Sequence, residues 1–132
     1  MVIKQFKFKG KTIEELNNMS IKDFAQLIPS RERRSLIRGF TPIQKKLFEK
    51  IRKSLKKGIK KPIKTHCRDC IIIPEMVGVT LSIYTGKEFV PVMITEEMLG
   101  HRLGELTMNR KKVQHSAPGI GATKSSAAIS VK

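Results

Sequence analysis

Apolar residues recur at helical spacing through the first 58 residues and alternate with polar ones after residue 62. The strongest helix signal covers residues 41–57, where Thr41 is placed as N-cap, Pro42 follows at the first helical position and Gly58 supplies the stop. The apolar positions of this segment recur every four residues, which predicts one buried stripe along the helix. They are Ile43, Leu47, Ile51 and Leu55, with Phe48 beside them.

Shorter helices are expected before this one. Thr12 and Glu15 have the spacing of a capping box, which predicts a helix to about residue 17. Ser20 begins a second helix that the following proline stops. Ser30 is expected to cap a third helix, which Gly39 ends. Residues 1–40 are therefore predicted to form a helical N-terminal extension.

Beyond residue 62 apolar residues recur at every second position, which is the spacing of a β-strand. A short strand is expected over residues 63–66, and the alternation of Val79, Leu81 and Ile83 with polar residues predicts a half-buried strand. A Thr-Gly turn then leads to a returning strand. Pro91 cannot donate to a β-ladder, so this strand is expected either at an edge of the sheet or with the amide position of Pro91 facing out of the ladder.

These elements predict an α+β fold, in which one main basic helix packs on a three-stranded, mostly antiparallel sheet. Residues 41–109 are predicted to form this α/β core domain, in which Thr95 caps a last short helix. No periodicity is found from Asn109 onward, so residues 110–132 are expected to form an extended basic tail.

Positive charge is concentrated in two segments of the chain. The net charge is +16. Residues 31–64 carry fourteen basic and two acidic side chains and residues 107–132 carry five basic and none acidic, whereas residues 65–106 are mildly acidic. Self-repulsion at this charge destabilises a compact chain unless a polyanion neutralises it. The distribution predicts a folded module with two arms that face RNA.

An anionic membrane is the competing polyanion. No apolar run approaches the roughly 20 residues that a membrane-spanning helix needs, and the N-terminal segment lacks the apolar stretch of a signal peptide. A membrane-surface helix needs a free apolar stripe, whereas the stripe of residues 41–57 is expected to pack on the sheet. We therefore expect a cytoplasmic protein that binds RNA and no membrane.

Three groups of side chains are predicted to bind RNA phosphates, so that affinity falls steeply with salt. The first group lies on and after the basic helix: Lys45, Lys46, Arg52, Lys53, Lys56, Lys57, Lys60, Lys61 and Lys64. The second lies on loops around the sheet: His66, Arg68, Lys87, His101 and Arg102. The third lies in the tail: Arg110, Lys111, Lys112, His115 and Lys124.

Cys67 and Cys70 form a CxxC motif, a spacing that occurs in zinc and redox sites. A structural zinc site needs four ligands, commonly two such pairs, and the sequence has no second pair. His66 is adjacent to Cys67 and poorly placed to share its metal. A redox CxxC usually lies in a larger α/β domain. We therefore expect two incidental residues, no metal and no cofactor.

The sequence contains no arrangement of residues that is typical of a catalytic site. Glu96 and Glu97 are explained by helix capping, and the other acidic residues have no recognisable acid–base spacing. Gly119 and Gly121 lack the strand and helix that flank a phosphate-binding loop. The chain is therefore predicted not to be an enzyme.

Several ordered motifs resemble the universal small-subunit ribosomal protein S-nineteen family. They are PIKTHCRD (62–69), IPEMVG (73–78), YTGKEFVPV (84–92) and ITEEMLGHRLGE (94–105). The tail motif HSAPGIGATKSS (115–126) and the helical extension are similar to the archaeal and eukaryotic branch. The sequence departs from the family pattern at Leu106, where an aromatic is usual, at Asn109, and at Cys70, where archaeal relatives commonly have Met.

The resemblance implies a structural constituent of the head of the small ribosomal subunit that binds ribosomal RNA. It also implies a neighbouring S-thirteen family protein, and a C-terminal tail near tRNA at the decoding region. A stand-alone nucleic-acid-binding protein is the alternative function, and a zinc or redox module is the third.

Overall fold

Helices occupy the first half of the chain and a three-stranded sheet follows them. The computed structural model describes residues 6–58 and 61–114. Within these residues the helices are α1 (Ile13–Asn18), α2 (Ile21–Leu27), α3 (Ser30–Arg38) and α4 (Pro42–Lys57). The strands are β1 (Ile63–Thr65), β2 (Thr80–Tyr84) and β3 (Phe89–Met93). Short 3-10 helices cover Pro74–Met76, Glu96–Met98 and Leu103–Leu106.

The sheet is mixed, with strand order β1-β2-β3. β1 runs parallel to β2, and β2 runs antiparallel to β3. A parallel pair needs a crossover of about a dozen residues or more, which residues 66–79 supply. β3 lies at an edge of the sheet, as predicted. Pro91 has no N–H to donate to a ladder, and an edge strand tolerates this. The predicted α+β class is confirmed.

Both ends of α4 are fixed by the residues that the sequence indicated. The Thr41 hydroxyl accepts a hydrogen bond from the Gln44 amide, and the Gln44 side chain accepts one from the Thr41 amide at 3.1 Å. Gly58 ends the helix in the left-handed conformation at φ +62°, which glycine adopts without steric cost. Leu47 and Ile51 are buried against the sheet.

The buried stripe of α4 is shorter than predicted. Ile43 and Leu55 are 66% and 53% exposed, so the prediction that they pack on the sheet is wrong. α4 has 16 residues and is about 24 Å long. The neighbouring strand β1 has three residues and spans only about 10 Å. β1 therefore covers only part of the length of α4.

The three N-terminal helices share one hydrophobic core with α4 and the sheet. Their buried side chains are Leu16, Phe24, Ala25, Ile28 and Leu36. The Arg33 guanidinium donates to the carbonyls of Ala25, Gln26 and Ile28 and so satisfies the C-terminal end of α2. No helix within residues 6–58 and 61–114 is both long enough and apolar enough to cross a bilayer.

Two predicted helix caps differ from the structure. α3 begins at Ser30 itself, and Pro29 stands at its N-cap without a side-chain hydrogen bond. Pro29 has φ −55°, which suits entry into a helix, so α3 starts one residue earlier than predicted. Thr95 stands before the helix Glu96–Met98, but its side chain makes no capping hydrogen bond.

Candidate nucleic-acid interface

Four lysines form one row along the solvent side of α4. They are Lys46, Lys50, Lys53 and Lys57, and we call them the lysine row. Their spacing of four, three and four residues places them on one helical face about 16 Å long. All four are exposed, and none pairs with an acidic side chain of the described residues. The row presents uncompensated positive charge to solvent.

A second group of cations lies beside the row. Lys45 and Lys56 are exposed. Arg52 is not free to bind a phosphate in the same way. Its Nε and Nη2 donate to the two carboxylate oxygens of Glu75 at 3.0 and 3.2 Å. The hydrogen bond and the charge of Glu75 raise the pKa of Arg52. Glu75 therefore offsets one positive charge of α4.

The cations that follow α4 extend its charge toward the sheet. Lys61 is exposed just before β1, and Lys64 is exposed within it. Lys60, which the sequence also indicated, lies outside the described residues. Lys87 is exposed in the turn between β2 and β3.

Arg68 is partly buried and joins the loop after β1 to the end of β2 and to residues 104–107. Its Nη1 donates to the Tyr84 carbonyl at 2.8 Å and to the Thr107 hydroxyl at 2.7 Å. Its Nη2 donates to the Gly104 and Thr107 carbonyls at 2.9 and 2.8 Å. A Cβ at Gly104 would lie 3.1 Å from the Arg68 carbonyl oxygen, so a side chain there would push the two loops apart. These contacts occupy the guanidinium, whose role is structural.

Arg102 has a similar structural position. It donates to the Asp69 carbonyl and to the Ser35 hydroxyl, and it lies 3.7 Å from the Glu32 carboxylate. These contacts join α3 to the loops beside the sheet. His101 Nδ1 lies 2.7 Å from a carboxylate oxygen of Glu105, and both side chains are about half exposed.

The predicted tail begins with exposed residues without regular structure. Arg110, Lys111 and Lys112 are exposed. His115 and Lys124 lie outside the described residues. His66 is exposed and contacts two aromatic rings at the end of the sheet.

A row of arginines on α3 was absent from the predicted RNA-binding residues. Arg31, Arg34 and Arg38, the arginine row, are all exposed. Their spacing of three and four residues places them on one face, opposite the buried Leu36. None of them pairs with an acidic side chain in the described part of the chain. The same periodicity test that selected the buried residues would have found this row.

The cysteines are buried and free, and they lie close to Asp69. Burial, with a contribution from Asp69, raises the pKa of Cys67 to about 12. Burial and the neighbouring Cys67 raise the pKa of Cys70 to about 12. Thiols in this state are poor nucleophiles and poor metal ligands. Among the described residues, no three His, Cys, Asp or Glu side chains are grouped to hold a metal ion.

Comparison with known proteins gives two concordant matches. A family model described as Ribosomal protein S19 matches residues 34–115. This range includes α4, the sheet and most of the exposed cations. A relative from Saccharolobus solfataricus, described as Small ribosomal subunit protein uS19, is 50% identical over 130 residues, which are 98% of this chain and 93% of the relative. The chain therefore belongs to the S-nineteen family of ribosomal proteins, and it is of the archaeal type.

Proposed function

We propose that the chain is a structural protein of the small ribosomal subunit that binds small-subunit ribosomal RNA through the exposed sides of α4 and α3. Family membership makes it a ribosomal protein of the translation apparatus in the cytoplasm. The observation that supports this binding surface is the lysine row, because four unpaired cations along one helical face can contact phosphates of one RNA backbone. The arginine row adds a second set of cations on the preceding helix.

The binding surface is tested by reversing charge within the lysine row. A variant with Lys53→Glu and Lys57→Glu is compared with a variant with Lys7→Glu and Lys22→Glu, which has the same net charge. All four positions are exposed. We expect the first variant to bind small-subunit RNA at least tenfold more weakly and to lower the slope of log affinity against log salt by roughly 2. The control should change affinity less than threefold.

Equal losses in the two variants would show that only net charge matters, and the proposed surface would then be wrong. The arginine row is tested in the same assay with Arg34→Glu and Arg38→Glu. A loss of affinity comparable to that of the lysine-row variant is expected, because each substitution removes one phosphate contact. An unchanged affinity would remove α3 from the binding surface.

We also propose that residues 110–132 approach tRNA near the decoding region. The basic composition of the tail supports this, together with the exposure of residues 110–114. Subunits reconstituted with a chain truncated after Asn109 should retain the protein but bind tRNA more weakly in a filter assay. Unchanged tRNA binding would contradict the assignment.

A neighbouring S-thirteen family protein in the head of the subunit is proposed from the resemblance alone. Lysine-directed crosslinking of purified small subunits should join an exposed lysine of this chain to that protein. A stand-alone nucleic-acid-binding protein is the alternative function. It predicts that the chain stays in the soluble fraction when small subunits are sedimented at moderate salt, whereas a ribosomal protein sediments with them.

A further inference from the structure

Three rings contact one another where the sheet meets its hairpin turn. The ring centroids of His66 and Tyr84 lie 4.5 Å apart, those of His66 and Phe89 lie 5.2 Å apart, and those of Tyr84 and Phe89 lie 5.0 Å apart. Tyr84 pairs with Phe89 across β2 and β3, and His66 directly follows β1. We call His66, Tyr84 and Phe89 the ring cluster.

The ring cluster lies on the solvent side of the sheet. Side chains alternate along a strand, so Tyr84 points away from the side that carries Ile83, which is fully buried. Tyr84 and Phe89 are partly exposed, and His66 is exposed. None of the three rings belongs to the hydrophobic core or to the partly buried side chains packed against it. The rings therefore have a role other than filling the core.

Cations stand next to the rings. Lys64 Nζ lies 5.3 Å from the Phe89 ring centroid, and Lys87 is exposed in the adjoining turn, beside the exposed Glu88. Unpaired nucleotides are held by this combination in many RNA-binding proteins, because the base stacks on an aromatic face while a nearby cation meets its phosphate. An apolar peptide would gain little from the lysines, so the local charge favours a nucleic acid.

We propose that the ring cluster binds an unpaired base of RNA by stacking, with Lys64 at the adjacent phosphate. This assignment rests on the proposed RNA-binding function and adds to it a site for single-stranded RNA, distinct from the phosphate-binding rows of α3 and α4. Stacking tolerates any base, since every base has a π-face. The site thus selects RNA that is locally unpaired and does not select a sequence.

Tyrosine fluorescence gives a direct readout. Tyr84 is the one tyrosine of the chain, which contains no tryptophan. The full-length protein is titrated with a single-stranded oligoadenylate and, separately, with a blunt-ended RNA duplex long enough to stay paired at the assay temperature. We expect the oligoadenylate to quench Tyr84 emission, because a stacked base contacts the ring, and the duplex to quench it much less at the same extent of binding.

Substitutions of single rings test whether stacking contributes to binding. Phe89→Leu keeps an apolar side chain without a ring, and His66→Ala removes an exposed ring with little risk to folding. Each should weaken binding of labelled oligoadenylate roughly tenfold, as expected for the loss of one base–aromatic contact. His66→Phe should retain the affinity of the parent protein. Met93→Ala is the matched control, because Met93 lies on the same face about 13 Å from the cluster.

The outcomes distinguish this proposal from the proposed function. If the ring variants bind oligoadenylate as tightly as the parent protein, or if Met93→Ala weakens binding equally, stacking at the ring cluster is wrong. The lysine-row variant would still lose affinity for small-subunit RNA, so the general function would stand. If Tyr84 emission responds only when other subunit proteins are added, the face binds a protein and the proposal fails.

Discussion

Arg68 and Lys53 carry the same charge but have different environments. Arg68 makes four hydrogen bonds to three residues, Tyr84, Gly104 and Thr107, whereas Lys53 is exposed on α4. A guanidinium suits the first position because its planar fork can serve several acceptors at once. The sequence identified both as cations, but their sorting into structural and surface residues depends on loops that meet only in the folded chain.

Replacing Arg68 is expected to destabilise the fold. Arg68→Ala leaves the carbonyls of Tyr84, Gly104 and Thr107 without their donor, and it should lower the free energy of unfolding by about 3 kcal/mol. Lys87→Ala, at an exposed position, should change it by less than about 0.5 kcal/mol. Urea unfolding followed by circular dichroism measures both. A stable Arg68→Ala protein with impaired RNA binding would instead assign the guanidinium to RNA.

Burial of Cys67 and Cys70 makes the stability of the fold depend on pH. In the unfolded chain the thiols ionise near the ordinary pKa of 9.0, but in the folded chain the pKa of each is raised to about 12. As pH rises above 9 the unfolded state therefore loses protons first, and stability falls between pH 9 and 12. By pH 10 the loss should be about 1 kcal/mol for each thiol.

Urea unfolding of the parent protein and of Cys70→Ala at pH 8 and pH 10 tests this. The variant should lose less stability over that interval, because it has one fewer thiol to ionise. Native protein at pH 8 should also react slowly with iodoacetamide and react with two equivalents only after unfolding. Rapid labelling of the native protein, or bound zinc at one equivalent, would contradict the buried state of the thiols.

At the scale of single elements, the sequence predicted the features that depend only on residues close by in the chain, such as the ends of a helix. α4 begins and ends where Thr41 and Gly58 indicate, because capping uses residues within one turn. The exposure of Ile43 and Leu55 was not predictable in this way. Helical periodicity identifies the face that is able to pack, but how much of that face is covered depends on the elements that lie against it in the folded chain.

Capping supplies a matched pair of threonines. Thr41→Ala removes the hydroxyl that accepts from the Gln44 amide, and it should lower the free energy of unfolding by about 1 kcal/mol. Thr95→Ala removes a side chain that makes no capping hydrogen bond and should have little effect. Thermal unfolding of the two variants measures the difference. Equal destabilisation would mean that the α4 cap adds nothing.

At the scale of the molecule, the helical extension and the sheet depend on one another. The extension contributes Phe24 and Ile28 to the common core, and Arg102 bonds to Ser35 of α3. The sequence predicted the extension as a separate segment because its partners lie far along the chain. The sequence alone could not tell which of the predicted RNA-binding cations are exposed and unpaired, because exposure and pairing of each cation are properties of the assembled fold.

Truncation from the two ends of the chain should therefore affect stability differently. Removing residues 110–132 should leave the thermal midpoint nearly unchanged, since residues 110–114 are exposed and contribute no core. Removing residues 1–39 should abolish cooperative unfolding, because it uncovers the apolar surface beneath α2 and α3. Circular dichroism of both truncated chains checks this, and a stable core without the extension would show two independent units.

The contact between Ser35 and Arg102 also bears on how the protein is made. These residues are 67 positions apart. A ribosome that adds about 5–20 residues per second therefore completes α3 several seconds before it adds Arg102 to the chain. During that interval the apolar sides of α2 and α3 remain uncovered on the nascent chain. The protein is thus most exposed to aggregation during its own synthesis, and early shielding by a chaperone would protect the segments that emerge first.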